Sequence, residues 1–169
     1  MTSITIPESV TSIGSSAFAT CFNLKNIIIP DGVTSIGFAA FQACSSLTSI
    51  AIPNGVTSIE SLVFQQCDSL TSITIPENVT SIGGYAFAEC YSLPSITIPA
   101  SITSIGEYAF DSCSTLNMVT SKATSVPSIG SNAFNRIPST SILKVPAGCV
   151  STYGNSDWNQ YFSSIVEIE

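Results

Sequence analysis

Apolar positions recur along this chain in short bursts that repeat every 23 residues. The stretch from Cys44 to Cys67 reads CSSLTSIAIPNGVTSIESLVFQQC. Period-two alternation at Ile50 and Ile52 predicts a short strand. Pro53 closes it, because proline cannot donate to a ladder. Turn residues follow: Pro53-Asn54-Gly55 here, Pro30-Asp31-Gly32 and Pro76-Glu77-Asn78 in the flanking copies. Val56-Thr57-Ser58-Ile59 predicts a second short extended piece. Gly14, Gly37, Gly83 and Gly106 are then expected to turn the chain into single helical turns carrying an Ala-Phe pair. In the copy from Cys44, Glu60 and Val63 replace that glycine and alanine.

Aligned on the same step, Cys21, Cys44, Cys67, Cys90 and Cys113 form one column. Pro7, Pro30, Pro53, Pro76 and Pro99 form a second, and Phe18, Phe41, Phe64, Phe87 and Phe110 a third. A fixed period of this size marks a solenoid, in which each repeat buries its apolar face only against its neighbours. One coil alone cannot offset the entropy of ordering it. Residues 1–146 are therefore expected to form the stack, five regular repeats and one irregular. Residues 147–169 are expected to be a C-terminal capping segment.

The pattern loosens after Cys113. Val126, Ile129, Gly130, Ala133 and Phe134 arrive 24 residues after their counterparts, and Ile137 stands where cysteine is expected. Tyr153, Trp158, Tyr161, Phe162, Ile165 and Ile168 then crowd together, an aromatic plug for the open end, with Asp157 expected to cap a small helix. At the other end Met1 falls in the leucine column without a polar cover. The expectation is a piece of a longer protein, whose uncapped first coil invites end-to-end self-association.

Charged residues make up only 9% of the chain, so serine and threonine must clothe the surface. Eleven acids against four bases give a formal charge of −7, with Lys25, Lys122, Arg136 and Lys144 scattered. No basic patch exists to neutralise phosphates, which argues against nucleic acid and anionic membranes. No apolar run is long enough to insert in a membrane. Stacked cysteines would lie about 4.8 Å apart with parallel Cβ vectors. That geometry disfavours disulfides, so the column reads as reduced thiols donating weakly to loop carbonyls. Cys149 lies outside it and is unassigned.

The columns Leu-x-x-Ile-x-Ile-Pro and Ile-Gly-x-x-Ala-Phe-x-x-Cys resemble the BspA-like class of leucine-rich repeats, over residues 1 to about 146. The ending from Val145-Pro146-Ala147-Gly148 through Trp158 and Tyr161-Phe162 resembles the terminal segment of such proteins from gut Bacteroidetes. The resemblance implies a right-handed coil with a parallel β-sheet on one side and short extended segments and single helical turns on the other. It also implies a cell-surface or secreted protein, often linked to adhesion. The family has no catalytic residues to carry over.

Catalytic chemistry finds little purchase. The chain has no histidine, which removes the usual Ser/His and Cys/His pairs. A serine–lysine dyad is set aside because Lys25 and Lys144 fall near exposed strand positions. The cysteine file lacks the paired spacing of a metal site, and Glu8, Asp31 and Glu77 supply too few oxygens per coil for calcium. No metal or cofactor is expected. The function expected is a non-enzymatic module binding protein or glycan, with a structural spacer as the alternative. An enzyme, or ice binding by the file Thr11, Thr34, Thr57, Thr80 and Thr103, ranks lower, since only one strict threonine column is present. Candidate contacts are the flat sheet face, with Ser49, Ser72, Thr74, Ser95 and Thr97, and an apolar ridge of Leu62, Tyr85 and Tyr108.

Overall fold

The computed structural model describes residues 2–169, so the place of Met1 in the leucine column lies outside the described residues. Two kinds of strand alternate. The Ile-x-Ile segments form β1 (Ser3–Thr5), β3 (Asn26–Ile28), β5 (Ser49–Ala51), β7 (Ser72–Thr74), β9 (Ser95–Ile98), β11 (Met118–Ser121) and β13 (Ile142–Val145). Between them lie two-residue strands: β2 (Ser12–Ile13), β4 (Ser35–Ile36), β6 (Ser58–Ile59), β8 (Ser81–Ile82), β10 (Ser104–Ile105) and β12 (Ser128–Ile129). Pairing is parallel throughout and follows the repeat, as in Ile50 opposite Ile73 and Ile59 opposite Ile82. The inserted residue of the sixth coil is absorbed before β12, which pairs Ser128 with Ser104. At each corner the N–H of the valine column bonds back to the proline carbonyl, as Val56 does to Pro53 at 3.1 Å.

The first side is one file of strands divided into three ladders, β1–β3, β5–β7 and β9–β11–β13 with a further strand beyond. At the break between β7 and β9 one inter-coil hydrogen bond is missing, although β3 and β5 also part where Thr48 does donate to the Lys25 carbonyl at 3.3 Å. Thr48 and Thr71 donate their amides to the coil before, Thr71 to the Thr48 carbonyl at 2.9 Å. Pro94 stands next in that column and has no N–H to give.

The third side corrects the expected helical turns. It is a run of tight turns in which Ala17, Ala19 and Cys21 bond back to Gly14, Ser16 and Phe18. The intervening amides of Ser16, Phe18 and Thr20 donate forward to Phe38, Ala40 and Gln42 of the next coil, at 2.7–2.9 Å. This geometry needs two left-handed residues per coil, and none of them is glycine: Leu62 and Gln66 (φ 64° and 59°), then Tyr85 and Glu89 (φ 56° and 63°). The glycine column serves close approach instead. A Cβ on Gly106 would lie 2.4 Å from the Gly84 amide nitrogen of the preceding coil.

Every apolar column points inward, and Phe41, Phe64, Phe87 and Phe110 are fully buried. Their rings stack face to face from Phe18 to Phe134, with centroids 5.0–5.7 Å apart. At the far end Phe134 meets Trp158 at 5.2 Å, Tyr161 at 5.9 Å and Phe162 at 5.3 Å. Trp158 donates its indole N–H to the Pro127 carbonyl at 2.9 Å, and the Tyr153 hydroxyl meets Ser121 at 2.7 Å. These aromatics ride on a short helix α1 (Val150–Gly154) and a 3-10 helix (Asp157–Tyr161). The cap of the latter is Ser156, whose Oγ accepts from the Trp158 amide; Asp157 is the first residue inside. After them β14 (Ser164–Glu167) pairs with β13, so the strand file resumes where the repeat motif has vanished.

Candidate binding site

The strand register places Ser49, Ser72 and Ser95 in one outward row and Thr74 and Thr97 in the next, all exposed. Thr74 and Thr97 open onto a cavity of about 460 Å³ walled by Asn54, Ile73, Ile75, Pro76, Glu77, Pro99 and Lys122. Ser49, Ser72 and Ser95 do not line it. Lys122 donates to Glu77 across this cavity at 2.7 Å, reaching past the intervening coil, where short Ala100 holds the acid's column. Sequence reasoning missed this pair, although Lys122 marks itself by filling the proline column of the sixth coil. Both side chains are about half exposed, so the pair adds little stability.

Leu62, Tyr85 and Tyr108 lie in the turns of the third side, outside every strand ladder. The two expected sets are therefore separate surfaces. All three ridge residues are half-buried and left-handed, with φ of 64°, 56° and 54°. That conformation costs a bulky L-residue about 1–2 kcal/mol. The tyrosine rings offset part of it by stacking at 4.9 Å and 13°, an arrangement that contributes about 0.5–1.5 kcal/mol. Asn132, next in the column, donates to the Tyr108 hydroxyl at 2.9 Å. Burial, together with the negative field of Glu107, pushes the Tyr85 hydroxyl pKa up. Because each ring covers its neighbour's face, the ridge offers rims and hydroxyls to solvent.

The threonine file uses its hydroxyls internally: Thr80 and Thr103 each donate to the threonine carbonyl one coil back, at 3.2 Å. The thiols are likewise engaged. Cys44, Cys67, Cys90 and Cys113 each donate to the phenylalanine carbonyl of the preceding coil, at 3.1–3.3 Å. All six cysteines are free; Cys21 is exposed, and Cys149 is buried with its sulfur 3.8 Å from the Thr124 carbonyl. Among the described residues no group of three metal-ligating side chains converges.

Burial pushes the Cys44 and Cys113 thiols up from 9.0 to about 12, and raises Cys67 and Cys90 as well. Unfolding restores the ordinary value, so the stability held by keeping these thiols neutral is complete below about pH 9 and drains away as pH rises towards 12. Iodoacetamide at pH 8 should label Cys21 in the folded protein and the buried column only after denaturation, as read by mass spectrometry. Fast labelling of Cys67 under native conditions would contradict its burial.

The comparisons with known proteins agree with this geometry. A family profile described as "BspA type Leucine rich repeat region (6 copies)" matches residues 1–117 and 80–168. No curated protein matches the chain in sequence. Among solved structures it is similar to a leucine-rich repeat protein of T. pallidum, with 26% identity, TM-score 0.72, 81% of this chain and 78% of that one covered. A leucine-rich repeat protein from Bacteroides ovatus gives 25% identity and TM-score 0.67, over 98% of this chain and 59% of that one. The pneumococcal vaccine antigen PcpA shares the fold at TM-score 0.74 and 23% identity, over all of this chain and 42% of its own. The chain thus spans under two thirds of the latter two. With the repeat matched almost end to end and its coils in register, this chain belongs to the BspA-type leucine-rich repeat family.

Proposed function

We propose that the chain is a non-enzymatic, protein-binding repeat module of a cell-surface or secreted bacterial protein, contacting its partner through Leu62, Tyr85 and Tyr108. The observation that carries this reading is the tyrosine stack in left-handed backbone. Other coils fill the same column with Ser16, Ala39 and Asn132, smaller residues at the same conformation. Bulk at a strained position is an outlier that calls for a purpose beyond the fold. Tyrosine is also the side chain that protein interfaces favour as an anchor. A sugar ring would need an open aromatic face, and here each tyrosine covers one face of the other; that favours a protein partner over a glycan.

The sheet face is the secondary contact surface, with the exposed row of Ser49, Ser72 and Ser95 outside the cavity that Thr74 and Thr97 line. It lacks aromatic or arginine anchors and contributes hydrogen bonds in number rather than strength. The internally bonded threonine hydroxyls speak against ice binding.

Arrays of host extracellular proteins and of glycans, probed with this chain, test the assignment. Saturable binding to a protein should weaken at least tenfold in Tyr85→Ala/Tyr108→Ala and stay within twofold in Thr74→Arg. Selective loss in Thr74→Arg would move the site to the sheet face. Insensitivity of every interaction to both variants would leave the module a spacer that holds other domains away from the cell.

A further inference from the structure

A second surface lies at the corner that follows the cysteine column, away from the tyrosine ridge. There Phe22 and Tyr91, 57% and 41% exposed, stand in one column three coils apart, about 14 Å at the usual strand spacing. The groove between them, about 330 Å³, is lined by Ala43, Ser45, Gln66, Asp68 and Glu89. Its two carboxylates, like most acids of the chain, have no basic partner. Among the described residues the ion pairs are Lys122 with Glu77 and Arg136 with Asp111, and neither Asp68 nor Glu89 has a cation in reach. Glu89 is nonetheless held in place, its Oε2 accepting from the Tyr91 hydroxyl at 2.9 Å and from Gln66 Nε2 at 3.3 Å. A carboxylate already oriented and still lacking a counter-charge is preorganised to receive one.

We propose that this groove binds an extended, positively charged peptide segment of a partner protein, seating a lysine or arginine side chain between Asp68 and Glu89 with its neighbours against Phe22 and Tyr91. Charge complementarity names the occupant: two unneutralised carboxylates sit in a chain of formal charge −7. Aromatic walls suit it as well, since a lysine or arginine head gains from a ring face or edge and its methylene stem covers apolar surface. The Asp68 carboxyl is pushed up by burial and by the charge of Glu89, the mutual repulsion that a cation between them would relieve.

Fluorescence anisotropy with labelled hexalysine, hexaarginine and hexaglutamate at about 0.15 M salt tests the groove. The expected result is saturable binding of a cationic peptide, weakened at least tenfold in Asp68→Asn/Glu89→Gln and in Phe22→Ala. Glu8→Gln/Asp31→Asn removes the same charge at another corner and should change affinity less than twofold. Tyr91→Phe deletes only the hydroxyl that orients Glu89 and should weaken binding about threefold. Equal losses in the two charge-removing variants would show attraction by net charge alone and overturn the proposal. So would no saturable binding of either cationic peptide, or equal binding of hexaglutamate. All six substituted positions are exposed or half-buried, and circular dichroism checks that each variant folds.

Discussion

Phe64→Ala should destabilise the protein by about 3–5 kcal/mol in chemical denaturation, the loss typical of a buried phenylalanine cut to alanine. Phe64 is fully buried, with Phe41 at 5.7 Å on one face and Phe87 at 5.4 Å on the other. Its carbonyl also accepts the Cys90 thiol of the next coil, so a shift in this turn is felt two columns away. The void cannot close by local collapse, because both neighbouring phenylalanines are tied by their amides to the following coil, Phe41 to the Val63 carbonyl at 3.0 Å and Phe87 to the Ala109 carbonyl at 2.8 Å. The sole tryptophan lies in the C-terminal cap, so its fluorescence compared with circular dichroism tells whether the stack still melts as one unit. A cost below about 1 kcal/mol would remove the phenylalanine file from the core.

Trp158→Ala should cost a similar ~3–5 kcal/mol and have a further consequence. The indole, 1% exposed, covers Phe134 at the end of the ring stack and packs edge-on to Tyr153 at 5.5 Å. Its loss also leaves the Pro127 carbonyl without its donor, a penalty for a buried acceptor of about 1–3 kcal/mol. Since solenoid ends need a cover to stay soluble, the variant should self-associate more than the parent protein in sedimentation velocity, while Trp158→Phe behaves as the parent does. Equal behaviour of the two variants would mean that Tyr161 and Phe162 suffice as the plug.

The columns of Ile, Pro, Phe and Cys carry the coil in plain sight, because each is a repeated burial environment and burial writes itself into residue type. Strand positions, corner turns, inward thiols and the aromatic plug were all legible for that reason. The third side was not. Its left-handed positions hold Ser16, Ala39, Leu62, Tyr85 and Tyr108, where a turn signature would show glycine or asparagine; only Asn132 carries that signature. Inter-coil hydrogen bonds stabilise that backbone, so propensity is overridden by neighbours that a local reading cannot see. β14 was missed similarly: Ser164–Glu167 pairs with Ile142–Val145 without resembling it. On the surfaces, the tyrosine column was legible as a ridge, whereas the Glu77–Lys122 pair joins different columns across a coil, and the Gln66–Glu89 and Glu89–Tyr91 bonds join side chains at repeat positions whose residue type varies from coil to coil.

The one-way amides of the third side have an electrostatic outcome. Ser16 donates to the peptide Phe38–Ala39, which donates to Ser61–Leu62, then to Gly84–Tyr85, Glu107–Tyr108 and Ser131. Two companion lines run through Phe18 and Thr20. Each is a chain of aligned peptide dipoles of the kind that sums to a macrodipole in an α-helix, but it runs perpendicular to the polypeptide and lengthens by one unit per repeat. The first coil therefore forms the negative pole and the aromatic end the positive one, where Asp157 shares a cavity with Asn132. Along this side two such rods meeting opposite pole to opposite pole attract and like poles repel, an effect partly offset by the lines from Gly83 to Ile59 and Gly106 to Ile82, which run the other way.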